Sequence, residues 1–166
     1  MPLSAFKAMI VTSLAFGWAG LVPARAEGWG SSYNMGTLAV GVATPEQARL
    51  TFYCGDGAAA RGNPVIKGGP YMEVSLPKAA GLDEATSLTL LIDGKGTAIP
   101  VAAKPDVENV SLSWEPGRSF SRAQMKAVVA RLAKAKTLAV SVGGNTVPLP
   151  VEGAAKALAD DPLGCK

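Results

Sequence analysis

Between Arg49 and Cys54 apolar and polar side chains alternate without a slip: Leu50, Phe52 and Cys54 fall on one side of an extended chain, and Arg49, Thr51 and Tyr53 on the other. That period of two predicts a half-buried β-strand, because successive side chains in a strand point to opposite faces. The same period returns at Met72, Val74 and Leu76, at Leu88, Leu90 and Ile92, at Val110, Leu112 and Trp114, and from Leu138 to Val142. Thr37 to Val42 is expected to add a strand that Ala43, Thr44 and Pro45 stop. Glycine-rich turns punctuate the runs, at Gly55-Asp56-Gly57, at Arg61-Gly62-Asn63-Pro64 and at Gly143-Gly144-Asn145. Asp93-Gly94-Lys95-Gly96, between Ile92 and the run Ala98 to Ala102, is the strongest hairpin signal in the chain. The closing run, Thr146 to Val151, carries Pro148 and Pro150, which cannot donate to a ladder and therefore place it at a sheet edge.

One stretch changes period. Ser121 followed by Gln124 forms a capping box, and Met125, Val128, Val129 and Leu132 then recur at helical spacing. A small alanine-leucine helix is expected over Ala154 to Ala159, and Glu27 to Asn34, rich in Gly and Ser, reads as a loose arm. Trp29 and Tyr33 in that arm fit either an exposed recognition patch or side chains folded back on the sheet. No internal repeat stands out. The pattern predicts a mainly β (α+β) fold: an antiparallel β-sandwich or small barrel-like sheet with one amphipathic helix and a short C-terminal helix.

Composition narrows the chemistry. A chain of 166 residues, 48% of them hydrophobic, is one ordinary domain with material for a core. It contains no histidine, which excludes Ser-His-Asp and Cys-His nucleophiles, HExxH zinc sites and an imidazole base. The expectation is a protein that is not an enzyme, with no catalytic, cofactor-binding or metal-binding residues. Residues 1–26 have the layout of a cleavable secretory signal: Lys7, an apolar run from Ala8 to Val22, then Ala24-Arg25-Ala26. The run is too short to span a bilayer, so residues 27–166 are expected to form a single exported β-rich domain, periplasmic or secreted and not membrane-spanning. Without Lys7 and Arg25 the mature chain has 14 cations against 13 anions, a balance that argues against nucleic acid as a partner.

Both cysteines, Cys54 and Cys165, lie in the exported part, and in an oxidising compartment they are expected to form one structural disulfide. Gly55-x-Gly57-x-x-Ala60 follows a strand as a dinucleotide fingerprint does, but Gly62 and Pro64 leave no room for the helix that must meet a pyrophosphate. Gly94-Lys95-Gly96-Thr97 echoes a phosphate loop, with threonine at position 89 where glycine is required. Asp56, Asp93, Asp160 and Asp161 lack the alternating oxygen ligands of a calcium loop. Between Glu115 and Glu152 no acid occurs, while six cations do. Three of them, Arg122, Lys126 and Arg131, lie opposite the apolar helix stripe, where they either solvate the helix or dock an envelope protein or anionic surface.

Taken together, Leu50-Thr51-Phe52-Tyr53-Cys54, Leu90-Leu91-Ile92-Asp93-Gly94, Val128-Val129-Ala130-Arg131-Leu132 and the run Pro148 to Leu158 before a terminal cysteine resemble the periplasmic invasion-associated locus B family and related type VI secretion accessory proteins. The resemblance implies a β-rich periplasmic domain with helices near its C-terminal end and no catalytic residues to carry over. Phe52-Tyr53-Cys54-Gly55-Asp56-Gly57 is similar to the opening of periplasmic lysozyme inhibitors, small β-barrels that block an enzyme cleft. The functional expectation is an exported, non-catalytic envelope protein acting by protein-protein or surface interaction, with inhibition of a lysozyme-type cell-wall enzyme as the alternative. A carboxylate-only glycosidase using a pair such as Asp83 and Glu84 plus another acid is a third reading, and it requires two acids facing each other across about 5 to 9 Å, whereas acids adjacent in sequence point in different directions.

Overall fold

A computed structural model describes residues 28–34, 36–55 and 69–165. The signal-like segment 1–26 and the turns from Asp56 to Pro64 lie outside the described residues. The strands are β1 (Gly30–Asn34), β2 (Thr37–Ala43), β3 (Arg49–Gly55), β4 (Gly69–Pro77), β5 (Ser87–Ile92), β6 (Lys95–Pro100), β7 (Ala102–Pro105), β8 (Asn109–Trp114), β9 (Leu138–Val142) and β10 (Asn145–Leu149). They form a six-stranded sheet in the order β1-β2-β3-β4-β8-β7 and a four-stranded sheet in the order β10-β9-β5-β6, every pair antiparallel. The fold is mainly β and sandwich-like, as the alternation predicts.

The alternation also assigns the faces. Leu50, Phe52, Met72, Val74, Leu112 and Trp114 of the large sheet meet Leu88, Leu90, Ile92, Val140 and Val142 of the small one in a continuous core. Helix α1 (Arg122–Leu132) starts at the Ser121–Gln124 capping box and adds Met125, Val128 and Leu132 to that core. Gln124 Oε1 accepts the Ser121 N–H at 2.8 Å, so both orphan amides at the helix start are satisfied. Trp114 donates its indole N–H to the Phe120 carbonyl at 3.1 Å, which anchors the link from β8 into the helix.

The small sheet is a doubled hairpin, and the expectation of no internal repeat is corrected here. Leu88, Gly94, Pro100 and Val101 recur 50 positions on as Leu138, Gly144, Pro150 and Val151. Both turns take positive φ at two successive residues, Asp93 and Gly94 in one, Gly143 and Gly144 in the other, which is the backbone a two-residue hairpin requires. Where β5 meets β9, the pair Thr89↔Ser141 exchanges with Leu91↔Ala139 under the same shift, and Leu90↔Val140 maps onto itself. A local two-fold axis therefore passes between Leu90 and Val140. The repeat hides in the sequence because most of its positions preserve only burial, which the fold reads and identity does not.

Two strands come as additions to the sequence reading. The arm from Gly30 to Asn34 is the edge strand β1, paired with β2 by backbone alone; it buries neither face, so no alternation marks it. The run expected to Ala102 ends at Pro100, and Val101 carries the chain across to the other sheet, where β7 pairs with β8. Pro148 does place β10 at an edge. Helix α2 (Ala154–Ala157) continues as a 3-10 turn over Leu158–Asp160.

Both ends of the described residues are tied across the sandwich. Trp29 is buried: its backbone N–H donates to the Glu152 carbonyl at 2.8 Å, its indole to the Pro150 carbonyl at 2.9 Å, and its ring stacks on Phe52. At the other end Cys165 is joined to Cys54 at the end of β3, with Cα atoms 5.4 Å apart.

Candidate functional site

The solvent face of the six-stranded sheet is uneven for a reason visible residue by residue. Opposite Arg49, Thr51, Tyr53, Tyr71 and Glu73 of β3 and β4, this face carries the small residues Gly30 and Ser32 on β1 and Ala39, Gly41 and Ala43 on β2, with Asn34 and Thr37 at the far end of the two strands. The face therefore steps down from β3 to β2 and leaves a groove of about 490 Å3 with Tyr53, Thr51 and Arg49 along one wall. Gly41 is required there: a Cβ at this position would lie 2.5 Å from the Leu50 carbonyl oxygen and 2.7 Å from the Thr51 hydroxyl.

Register brings the aromatic residues together. Tyr53 and Tyr71 are cross-strand partners, and their rings stack with centroids 4.7 Å apart and planes 18° from parallel. Burial raises the Tyr53 pKa and the Glu73 carboxylate adds to the rise, against a hydrogen bond from Thr51 and the charge of Arg49. Tyr71 is pushed up to about 12, first by burial, then by Tyr53, Glu73 and Glu115. Both phenols are thus neutral hydroxyls at physiological pH, able to donate and accept. A raised folded-state pKa means the stabilisation is complete below the free tyrosine value near 10 and is lost as pH climbs toward the folded value. An ultraviolet titration is expected to show a phenolate step near pH 12 in the folded protein that moves to about 10 in urea and vanishes in Tyr71→Phe. Ionisation of every tyrosine in one step near 10 without denaturant would contradict this placement.

The helix cations have partners within the chain. Arg122 donates from Nε to the Leu163 carbonyl at 2.7 Å and from Nη2 to the same oxygen and to the Cys165 carbonyl, the latter at 2.8 Å. Lys126 pairs with Asp161 at 3.3 Å. Arg131 donates to the Thr97 hydroxyl at 3.1 Å and the Lys95 carbonyl at 3.3 Å. Arg122 and Lys126 hold the C-terminal tail, and Arg131 ties the helix to the β5–β6 hairpin. Arg122→Gln is expected to cost about 2 kcal/mol in urea unfolding, since it leaves half-buried carbonyls without donors, whereas Lys126→Gln at an exposed pair should cost under about 1 kcal/mol. Equal midpoints for Arg122→Gln and the parent would show that the tail needs no such clamp.

The remaining motifs resolve into structure. In Gly94-Lys95-Gly96-Thr97 the first glycine completes the hairpin turn and the other three residues open β6, and the Asp93 carboxylate accepts the backbone N–H groups of Lys136 and Thr137, which hold its pKa below the usual range. Asp83 and Glu84 are exposed in the loop after β4. Among the described residues, no three His, Cys, Asp or Glu gather as metal ligands. No helix of the described residues is long and apolar enough to cross a membrane. Sequence reading sorted Arg49, Thr51 and Tyr53 onto one face but attached no role to them and passed over Tyr71 and Glu73, because only the register of β3 on β4 places the tyrosines side by side.

No curated protein and no solved structure matches the chain. A family model does match, over residues 27–158, a span that takes in the ten strands and both helices of the described residues, and by that match the chain belongs to the YfjT family.

Proposed function

We propose that this protein is an exported, non-catalytic envelope protein that acts by surface recognition, and that its recognising surface is the outer face of the six-stranded sheet. One observation carries the reading: the groove beside Tyr53 combines an aromatic wall, the Thr51 hydroxyl and the Arg49 guanidinium over a floor of small residues, the mixture of apolar contact and sparse polar groups that binding sites use. Export is supported by the signal-like residues 1–26 and by the Cys54–Cys165 pair, since structural disulfides persist outside the reducing cytosol. The helix cations that had suggested an anionic docking face are better spent as internal ties, which leaves the sheet as the surface for partners.

The test is site-specific photo-crosslinking in cells that express the protein, with the reactive residue at Ser32 in the groove or at Lys134 just past the C-terminal end of the helix. Adducts on exported protein, beginning at Glu27 and formed from position 32, sustain the proposal. Adducts from position 134 alone would move recognition to the helix, and unprocessed protein retaining Met1 would remove export. Addition of saturating protein to lysozyme should leave its rate unchanged; inhibition would replace this reading with the inhibitor one.

A further inference from the structure

Ser32, Ala39, Tyr53 and Tyr71 lie on one rung across β1 to β4, all on the solvent face. Neighbouring strands are about 4.8 Å apart, close to the separation of the two tyrosine rings, so each ring stands over its own strand and the stack advances one strand at a time. The third place, over Ala39, holds only a methyl group, and it opens into the groove. One face of Tyr53 is covered by Tyr71, and the other borders this empty place. A flat ring of the right thickness seated over Ala39 would continue the stack.

From this juxtaposition we infer that the groove binds a saccharide bearing a carboxylate, with its ring stacked on Tyr53 above Ala39 and its carboxylate on Arg49. The inference deepens the recognition reading and rests on it. Three features select the ligand. The stacked pair offers a single aromatic face with no cleft between rings, which suits the C–H face of one pyranose ring and lacks the repeated ridges that grip a proline-rich helix. The hydroxyls of Ser32, Thr51 and Tyr53 each donate and accept, matching the dual character of sugar hydroxyls. Arg49 is the one charged side chain among the described residues that line the groove, and a guanidinium recognises a carboxylate through two parallel hydrogen bonds.

The full-length mature protein should be titrated, by amide-resolved NMR, with a glucuronic acid-containing disaccharide and a muramic acid-containing disaccharide, each beside its carboxyl-reduced counterpart. Saturable shifts are expected at Ser32, Ala39 and Thr51 with at least one acidic sugar, and the acid that binds identifies the source. Carboxyl reduction and Arg49→Gln should each weaken binding by about tenfold, and Tyr53→Ala by tenfold or more. Ala39→Leu, which fills the third place from an outward-facing position, should abolish binding and leave the thermal midpoint unchanged; Ala39→Val serves if the larger residue disturbs folding. Undisturbed amides with both acids, equal affinity for the reduced sugars, or undiminished binding by a folded Ala39 variant would overturn the inference. So would saturable binding at this groove of a nucleotide or a proline-rich peptide in place of the acidic sugars. A protein adduct from position 32 without any saccharide shift sinks the ligand class while sparing the recognition surface; the absence of both sinks both.

Discussion

Serine at both Cys54 and Cys165 is expected to lower the unfolding free energy by about 4 kcal/mol. The bond spans a sequence separation of 111 residues, so its removal releases a long closed loop into the denatured ensemble. It also frees the segment that buries Leu163 and presents the Leu163 and Cys165 carbonyls to Arg122. Urea unfolding at neutral pH should show the lower midpoint together with a steeper dependence on denaturant, because an uncrosslinked denatured chain exposes more surface. Coincident curves for the oxidised parent and the double serine variant would mean that the denatured chain is already compact without the bond.

Trp29→Ala should cost about 3 to 5 kcal/mol, comparable to other large-to-small changes in a core. The indole fills the corner between the edge of the large sheet and the segment after β10, stacks on Phe52 with centroids 6.3 Å apart, and donates to the Pro150 carbonyl. Trp29→Phe separates the parts: the ring contact survives, the carbonyl loses its donor, and about 1 kcal/mol is expected to go. The backbone bond from residue 29 to Glu152 persists in both variants, so β1 should keep its pairing with β2 and the amide-exchange pattern there should change little in Trp29→Phe. A loss as large for phenylalanine as for alanine would place the whole effect in the hydrogen bond and none in packing.

The disulfide and Trp29 mark where sequence reading succeeds and where it stops. The cysteines can be paired from the sequence because two thiols in one chain have a single intrachain connectivity. Trp29 was open between an exposed patch and a folded-back side chain, and the same question about Tyr33 has the other answer: Trp29 is buried while Tyr33 is 65% exposed. Four residues apart in one arm, they differ because Trp29 reaches two carbonyls near the end of the chain, 121 positions away in the case of Pro150. Nothing local to the arm encodes that meeting.

What the amino-acid sequence by itself determined is everything that depends on short-range periodicity. The inward faces of β3, β4, β5, β8 and β9, the capping box of α1, the positive-φ hairpin turn at Asp93-Gly94 and the edge position of β10 follow from side-chain alternation, glycine and proline. The tertiary structure alone decided the pairings. It set Tyr53 against Tyr71, lowered the floor of the groove by placing β2 beside β3, turned Arg122 onto the C-terminal carbonyls, and revealed the two-fold relation of the small sheet. The physical reason is that a strand's own pattern specifies which side faces the core but not which strand lies next to it or at what register. Those choices come from burying both sheets against a shared core, and the outward face, where the candidate site lies, inherits its neighbours from them.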